Sequence, residues 1–114
     1  MEKYIAILKT YKDFLQFSHW NTGKDYARHL LYERLMGEVD DPLDRFVEVM
    51  MGSDTEVVAN YEEFKAEKID ITDIRTYLMW AKGEFQALLP ALNEACQNVV
   101  VDIIEMIDRH LYLL

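Results

Sequence analysis

Apolar residues recur along this chain at steps of three and four, the spacing of a single helix face. Tyr4, Leu8, Tyr11, Leu15 and then His19 trace such a stripe and predict a first helix over residues 2 to about 20. Asn21, Thr22 and Gly23 interrupt it, since two small polar residues followed by glycine favour a turn. A second stripe, formed by Tyr32, Leu35, Met36, Val39, Leu43, Phe46, Val47 and Met50, predicts a second helix from about Lys24 to Met51. Pro42 lies inside that stretch and Gly37 precedes it. Proline removes a backbone donor and crowds the preceding turn. The helix therefore either kinks there or restarts with Asp41 as N-cap and Pro42 at the first helical position. Gly52, Ser53 and Asp54 close it.

Thr55 to Lys68 reads as a connecting arm with room for a short helix. A third helix begins near Thr72 or Asp73 and turns Ile74, Tyr77, Leu78, Ala81 and Phe85 inward. Pro90 marks the next boundary. The fourth helix carries Leu92, Cys96, Val99, Ile103, Met106, His110 and Leu113 on its inner face. Four amphipathic helices with a long link in the middle predict an all-α fold, an up-down four-helix bundle with a long crossover between helices 2 and 3. The 4 glycines and 2 prolines among 114 residues agree with long helices rather than a turn-rich sheet. With 51% of residues apolar, the chain has enough for one small core, read as a single domain over 1–114.

Charge narrows the partners. The net charge is −9, and no basic run or lysine-rich tail is present. Duplex binding needs clustered cations to displace phosphate counterions, so no direct nucleic-acid partner is expected. The purified protein should leave duplex DNA unretarded in a gel at physiological salt; salt-sensitive retardation at low protein concentration would contradict this. Cys96 is the one cysteine, so an intrachain disulfide and cysteine-based structural zinc sites are ruled out. The segment MEKYIAILKTYKDF lacks the continuous apolar core of a signal peptide, and no apolar run approaches a bilayer span. No membrane partner and a reducing cytoplasm are the expectation.

The candidate chemistry lies in His19, His29, Glu33, Asp44 and Glu48. His29, Glu33, Asp44 and Glu48 are separated by 4, 11 and 4 residues. On one continuous helix these steps fall at roughly 0°, 40°, 60° and 100°, a single sector. Two imidazoles with three carboxylates suit iron, manganese or zinc better than calcium, which takes oxygen alone. Singly, each has a plainer reading. A lone histidine near a helix core is more often structural than a ligand, and an i, i+4 carboxylate pair is normally a solvated face. Trp20 and the tyrosines read as core or interface aromatics, and Cys96 as a packed apolar residue. His110, beside Arg109 near the chain end, reads as a favourable helix-end group.

Taken together, the segment resembles the DNA-protection-during-starvation (Dps) branch of the ferritin-like superfamily. The resemblance rests on His19-Trp20-Asn21, then Gly23 and Tyr26, His29, an acidic residue four positions later at Glu33, and the Asp44-x-x-x-Glu48 pair shortly before Gly52. The C-terminal VVVDIIEMIDRHLYLL is similar to that family's last helix. Short phage-encoded relatives of the fold are similar in length and in the first motif. The departures are a His19–His29 interval two residues shorter than usual, Glu33 where Asp is usual, Pro42, and the absence of a basic tail.

The resemblance implies a ferritin-like bundle that assembles as a homo-oligomer, at least a dimer, in the cytoplasm (the host's, if phage-encoded). It implies an inter-subunit ferroxidase site, with His19, His29 and Glu33 of one chain facing Asp44 and Glu48 of the other. Such a site, potentially di-iron and with Zn or Mn as surrogates, binds and oxidises Fe(II) for iron sequestration or oxidative protection. The chain contains no Glu-x-x-His, which disfavours the intra-bundle di-iron arrangement. Two alternatives stand beside this one. One is a ferritin-fold module without catalysis that binds other proteins; the other is an acidic helical DNA mimic. Neither needs paired histidines at these spacings.

Overall fold

The computed structural model describes residues 1–53, 58–67 and 69–114. The chain is all-helical among these residues, with no strand. Its elements are α1 (Glu2–Trp20), α2 (Tyr26–Gly37), α3 (Asp40–Ser53), α4 (Tyr61–Ala66), α5 (Ile74–Leu88), a 3₁₀ turn (Leu89–Ala91) and α6 (Glu94–Leu113). Within the expected connecting arm, α4 is the short helix; residues 55–57 and 68 of that arm lie outside the described residues.

Helix starts follow side-chain capping. A short polar side chain accepts a first-turn N–H that has no carbonyl partner within the helix. Asp25 caps α2 through the Arg28 N–H, Asn60 caps α4 through Glu63, Asp73 caps α5 through Thr76, and Asn93 caps α6 through Cys96. At the far end of α1, the Asn21 amide donates to the Phe17 carbonyl at 2.7 Å and the Thr22 hydroxyl to that of His19 at 3.3 Å. Gly23 then takes φ +59°, left-handed backbone that costs glycine little, and the chain turns into α2.

The second helical stretch corrects the expectation of one helix over 24–51. It starts at Tyr26 and breaks at Glu38 and Val39. There the Glu38 N–H donates to the Leu35 carbonyl at 3.1 Å and the Val39 N–H to that of Met36 at 3.4 Å, three residues back instead of four. The ladder resumes with the Leu43 N–H donating to Val39 at 3.2 Å. Pro42 is therefore the third residue of α3, not the first, and Asp41 lies inside the helix rather than capping it. A first-turn residue has no intrahelical acceptor for its N–H, so proline costs little there. With the ladder interrupted, the single-sector argument linking His29 and Glu33 to Asp44 and Glu48 no longer holds. Each pair still lies one turn apart on its own helix.

α1 packs against α2, α4 and α5, while α6 packs against both α3 and α5. The inner stripes meet in one core that includes Leu8, Tyr11, Leu35, Phe46, Tyr77 and Ile103. Phe46 and Phe85 meet edge to face with ring centroids 6.1 Å apart, and Tyr4 leans on both. Burial of this apolar surface supplies the main drive for folding. The two halves of the broken helix thus differ in their main neighbour, α1 for α2 and α6 for α3, although α3 also touches α1. No helix among the described residues is long and apolar enough to cross a membrane.

Candidate metal centre

The turn at Gly23 folds the end of α1 back onto the first turn of α2 and brings His19 and His29 face to face. Their rings stack at 3.8 Å between centroids, 25° from parallel. Each is half-buried. The bonding is reciprocal: Nδ1 of His19 lies 2.8 Å from the His29 carbonyl oxygen, and Nδ1 of His29 lies 3.0 Å from the His19 carbonyl oxygen. A carbonyl can only accept, so both Nδ1 atoms carry the hydrogen and donate it. Both Nε2 atoms then keep a free lone pair. A backbone carbonyl holding one ring nitrogen while the other is left basic is the usual preparation of a metal-binding histidine.

The surroundings are open and aromatic. Gly23, Lys24, Tyr26 and His29 line a shallow recess of about 270 Å³. The Tyr26 ring lies nearly parallel to His29 at 6.2 Å. Phe17 and Trp20 meet edge to face at 5.3 Å, and both are exposed, as is Tyr26. Trp20 is thus a surface residue. Among the tyrosines, Tyr11 and Tyr77 are wholly buried, whereas Tyr26, Tyr61 and Tyr112 face solvent.

Of the five candidate ligands, the fold brings together His19 and His29. Glu33 is exposed one turn along α2 from His29, and Asp44 and Glu48 are exposed on α3. Among the described residues these three carboxylates join no ion pair, and no group of three or more metal-type side chains converges within one chain. A tetrahedral site needs four ligands, and within one chain no third metal-type side chain joins the stacked pair among the described residues.

One cluster was not foreseen. His110 lies in the last turn of α6 on its inner face, as expected, and is fully buried there. Its Nε2 lies 2.9 Å from Glu38 Oε2, and its Nδ1 lies 2.7 Å from the Tyr11 hydroxyl. Arg109 donates to the same carboxylate oxygen at 3.0 Å, and Arg34 approaches the other oxygen at 3.4 Å. Burial is the largest influence on His110 and pushes its pKa down; the Glu38 carboxylate pulls the other way without overcoming it. Burial also works to raise the Glu38 carboxyl, but hydrogen bonds from His110 and Arg109 more than offset it and hold Glu38 below the ordinary carboxylate range. Burial, with the Glu38 charge, raises the Tyr11 phenol. The signal in the sequence was His110's place four residues after Met106 on the inner stripe of the last helix.

No curated protein and no solved structure is significantly similar to this chain. One family model does match, and its match begins at His19, the first residue of the histidine pair, and runs to the last residue. Over residues 19–114 the chain belongs to DUF5856, a family of unknown function.

Proposed function

We propose that this protein is a Dps-like, ferritin-fold metal-binding protein that takes up Fe(II) at a site shared between two copies and oxidises it, for iron sequestration or oxidative protection. The observation that carries the reading is the reciprocal Nδ1–carbonyl bonding of His19 and His29, which leaves Nε2 as the basic nitrogen of each neutral ring. The proposed fold is a ferritin-like four-helix up-down bundle of α1, the α2–α3 pair, α5 and α6, with the stretch carrying α4 as its crossover. The proposed location is the cytoplasm.

Charge and symmetry supply the missing donors. In an antiparallel two-fold pairing of the α2–α3 stretch, a residue faces its mirror position about the axis. The midpoints between His29 and Asp44, between His29 and Glu48, and between Glu33 and Asp44 all fall between Met36 and Val39. A two-fold at the helix break would thus seat Asp44 and Glu48 of one copy against His19, His29 and Glu33 of the other. Gly37 lies in this stretch, and a Cβ added there would meet nothing within 4 Å, so that face is open to close approach. Carboxylates offset the repulsion between two divalent ions and then neutralise the added charge of Fe(III). Fe(II) would be the substrate and give up one electron per ion: two ions and two protons would reduce one hydrogen peroxide to two waters, or four ions and four protons one dioxygen to two waters.

Anaerobic titration calorimetry with Fe(II) tests the assignment. Saturable uptake is expected, weakening as pH falls, because histidine must be neutral to ligate. Replacing Asp44 by Asn and Glu48 by Gln should abolish tight binding while the helical circular-dichroism signal persists. Absence of saturable binding by the wild type would leave the non-catalytic interaction module, which exposed Phe17, Trp20 and Tyr26 would then favour.

A further inference from the structure

Glu38 occupies the break between α2 and α3; side chains of α2 and α6 converge on its carboxylate, and α1 joins them through His110. Tyr11 reaches the cluster from α1, Arg34 from α2, and Arg109 and His110 from α6. The proton arrangement is determined by the chemistry. A carboxylate only accepts, so Nε2 of His110 donates to Glu38. Nδ1 is then a lone pair, and the Tyr11 hydroxyl donates to it. His110 is neutral in this arrangement, and no buried side-chain polar atom among the described residues lacks a partner.

A second proton on His110 cannot be accommodated in place. Nδ1 would become a donor, and the Tyr11 oxygen would have to accept. The Tyr11 O–H would then point into the core without an acceptor, since Tyr11 is fully buried beside the Tyr77 ring. The Tyr77 hydroxyl donates to the Ile7 carbonyl at 2.6 Å, and among the described residues the one hydrogen-bond partner of the Tyr11 hydroxyl is His110. Leaving a buried donor unpaired disfavours the closed arrangement by about tenfold or more. The remaining charged groups nearby are Arg34 and Arg109, which oppose another positive charge, and the exposed Lys12–Asp40 pair that ties α1 to the start of α3.

The joint beside this cluster is the weak point of the second helical stretch. Its ladder is reduced to two three-residue bonds, and its halves differ in their main neighbour, α1 for α2 and α6 for α3. We propose that Tyr11, His110 and Glu38 form a proton-operated latch, which holds the α2–α3 joint in place at neutral pH and releases it on acidification. Release would change the orientation of α2, which carries His29, relative to α3, which carries Asp44 and Glu48. The latch itself requires no metal.

Hydrogen exchange of the full-length protein, corrected for the intrinsic pH dependence of the chemistry, tests this. Between pH 7.5 and pH 5, the hydrogen-bonded amides of Glu38, Val39 and Leu43 should lose about tenfold or more of their protection, the scale set by one orphaned buried donor. Core amides of α5 and α6, which open only with global unfolding, should lose clearly less. His110→Gln cannot take up the proton and should make the joint's protection independent of pH over that range. Tyr11→Phe removes the donor that favours neutral His110 and should move the loss to higher pH. Protection that stays flat in the wild type would overturn the proposal. So would loss shared equally by α5 and α6, or a midpoint unmoved by Tyr11→Phe.

Discussion

Replacing His19 and His29 together by alanine should weaken Fe(II) and Zn(II) uptake by more than about 100-fold, because loss of even an outer-shell partner of a metal ligand costs 10–100-fold. The helices should remain. The pair lies half-buried at one end of the molecule, and its two imidazole-to-carbonyl bonds contribute only about 1 kcal/mol each. The sharper form of the experiment mixes two inactive variants. One lacks the histidines; the other carries Asp44→Asn and Glu48→Gln. If the site is shared across a two-fold, a mixed dimer unites intact histidines of one chain with intact carboxylates of the other and regains one of its two sites. Random exchange makes half the dimers mixed, so about a quarter of wild-type stoichiometry should return on mixing, as isologous symmetry requires. Calorimetry after subunit exchange reads this directly. No recovery, with each variant dimeric, would mean that the carboxylates are not supplied by a second copy.

The largest effect on stability is expected at His110. Leucine there keeps much of the volume but takes away the acceptor of the buried Tyr11 hydroxyl and a donor to Glu38. An orphaned buried group and a lost charge-assisted bond together cost about 3 kcal/mol. At about 4 °C per kcal/mol for a domain of this size, the melting temperature should fall by about 12 °C.

The pH profile of stability separates this role from packing alone. The folded pKa of His110 lies below its ordinary value of 6.5, so the unfolded chain takes up the proton first. The stabilisation is complete above about pH 6.5 and is lost as pH falls from there towards the folded value. Glu38 is also lowered, from 4.5, and its contribution is lost only at still lower pH. Wild-type denaturant midpoints should therefore decline between pH 6.5 and 5, and His110→Leu should flatten that slope. An unchanged slope in the variant would show that His110 does not carry it.

Much of this architecture was legible in the order of residues. The stripe from Tyr4 to His19 marks α1, Asp73 is the cap of α5, and the Cys96-to-His110 stripe is the inner face of α6. These follow from local rules, since a period near 3.6 identifies the buried face and a short polar side chain fits a helix start. The pairs His29 with Glu33 and Asp44 with Glu48 were legible for the same reason. The break was misplaced because proline is only one way to stop a helix. Here the ladder gives way just before Asp40, where α2 and α3 turn to different main partners, and Pro42 is accommodated in the new first turn.

What the sequence determined by itself is the set of helices, their inward faces, and the presence of two histidines and three carboxylates at suggestive intervals. Only the tertiary structure decided which of these meet. The Gly23 turn closed His19 onto His29 and set the tautomer of both rings, whereas Tyr11 and His110, 99 residues apart, came together because α1 and α6 both pack against α3 and α5. Periodicity reports which side of a helix is buried, but a hydrogen bond is directional and needs both partners at one place. That place is decided by how the helices pack across the core.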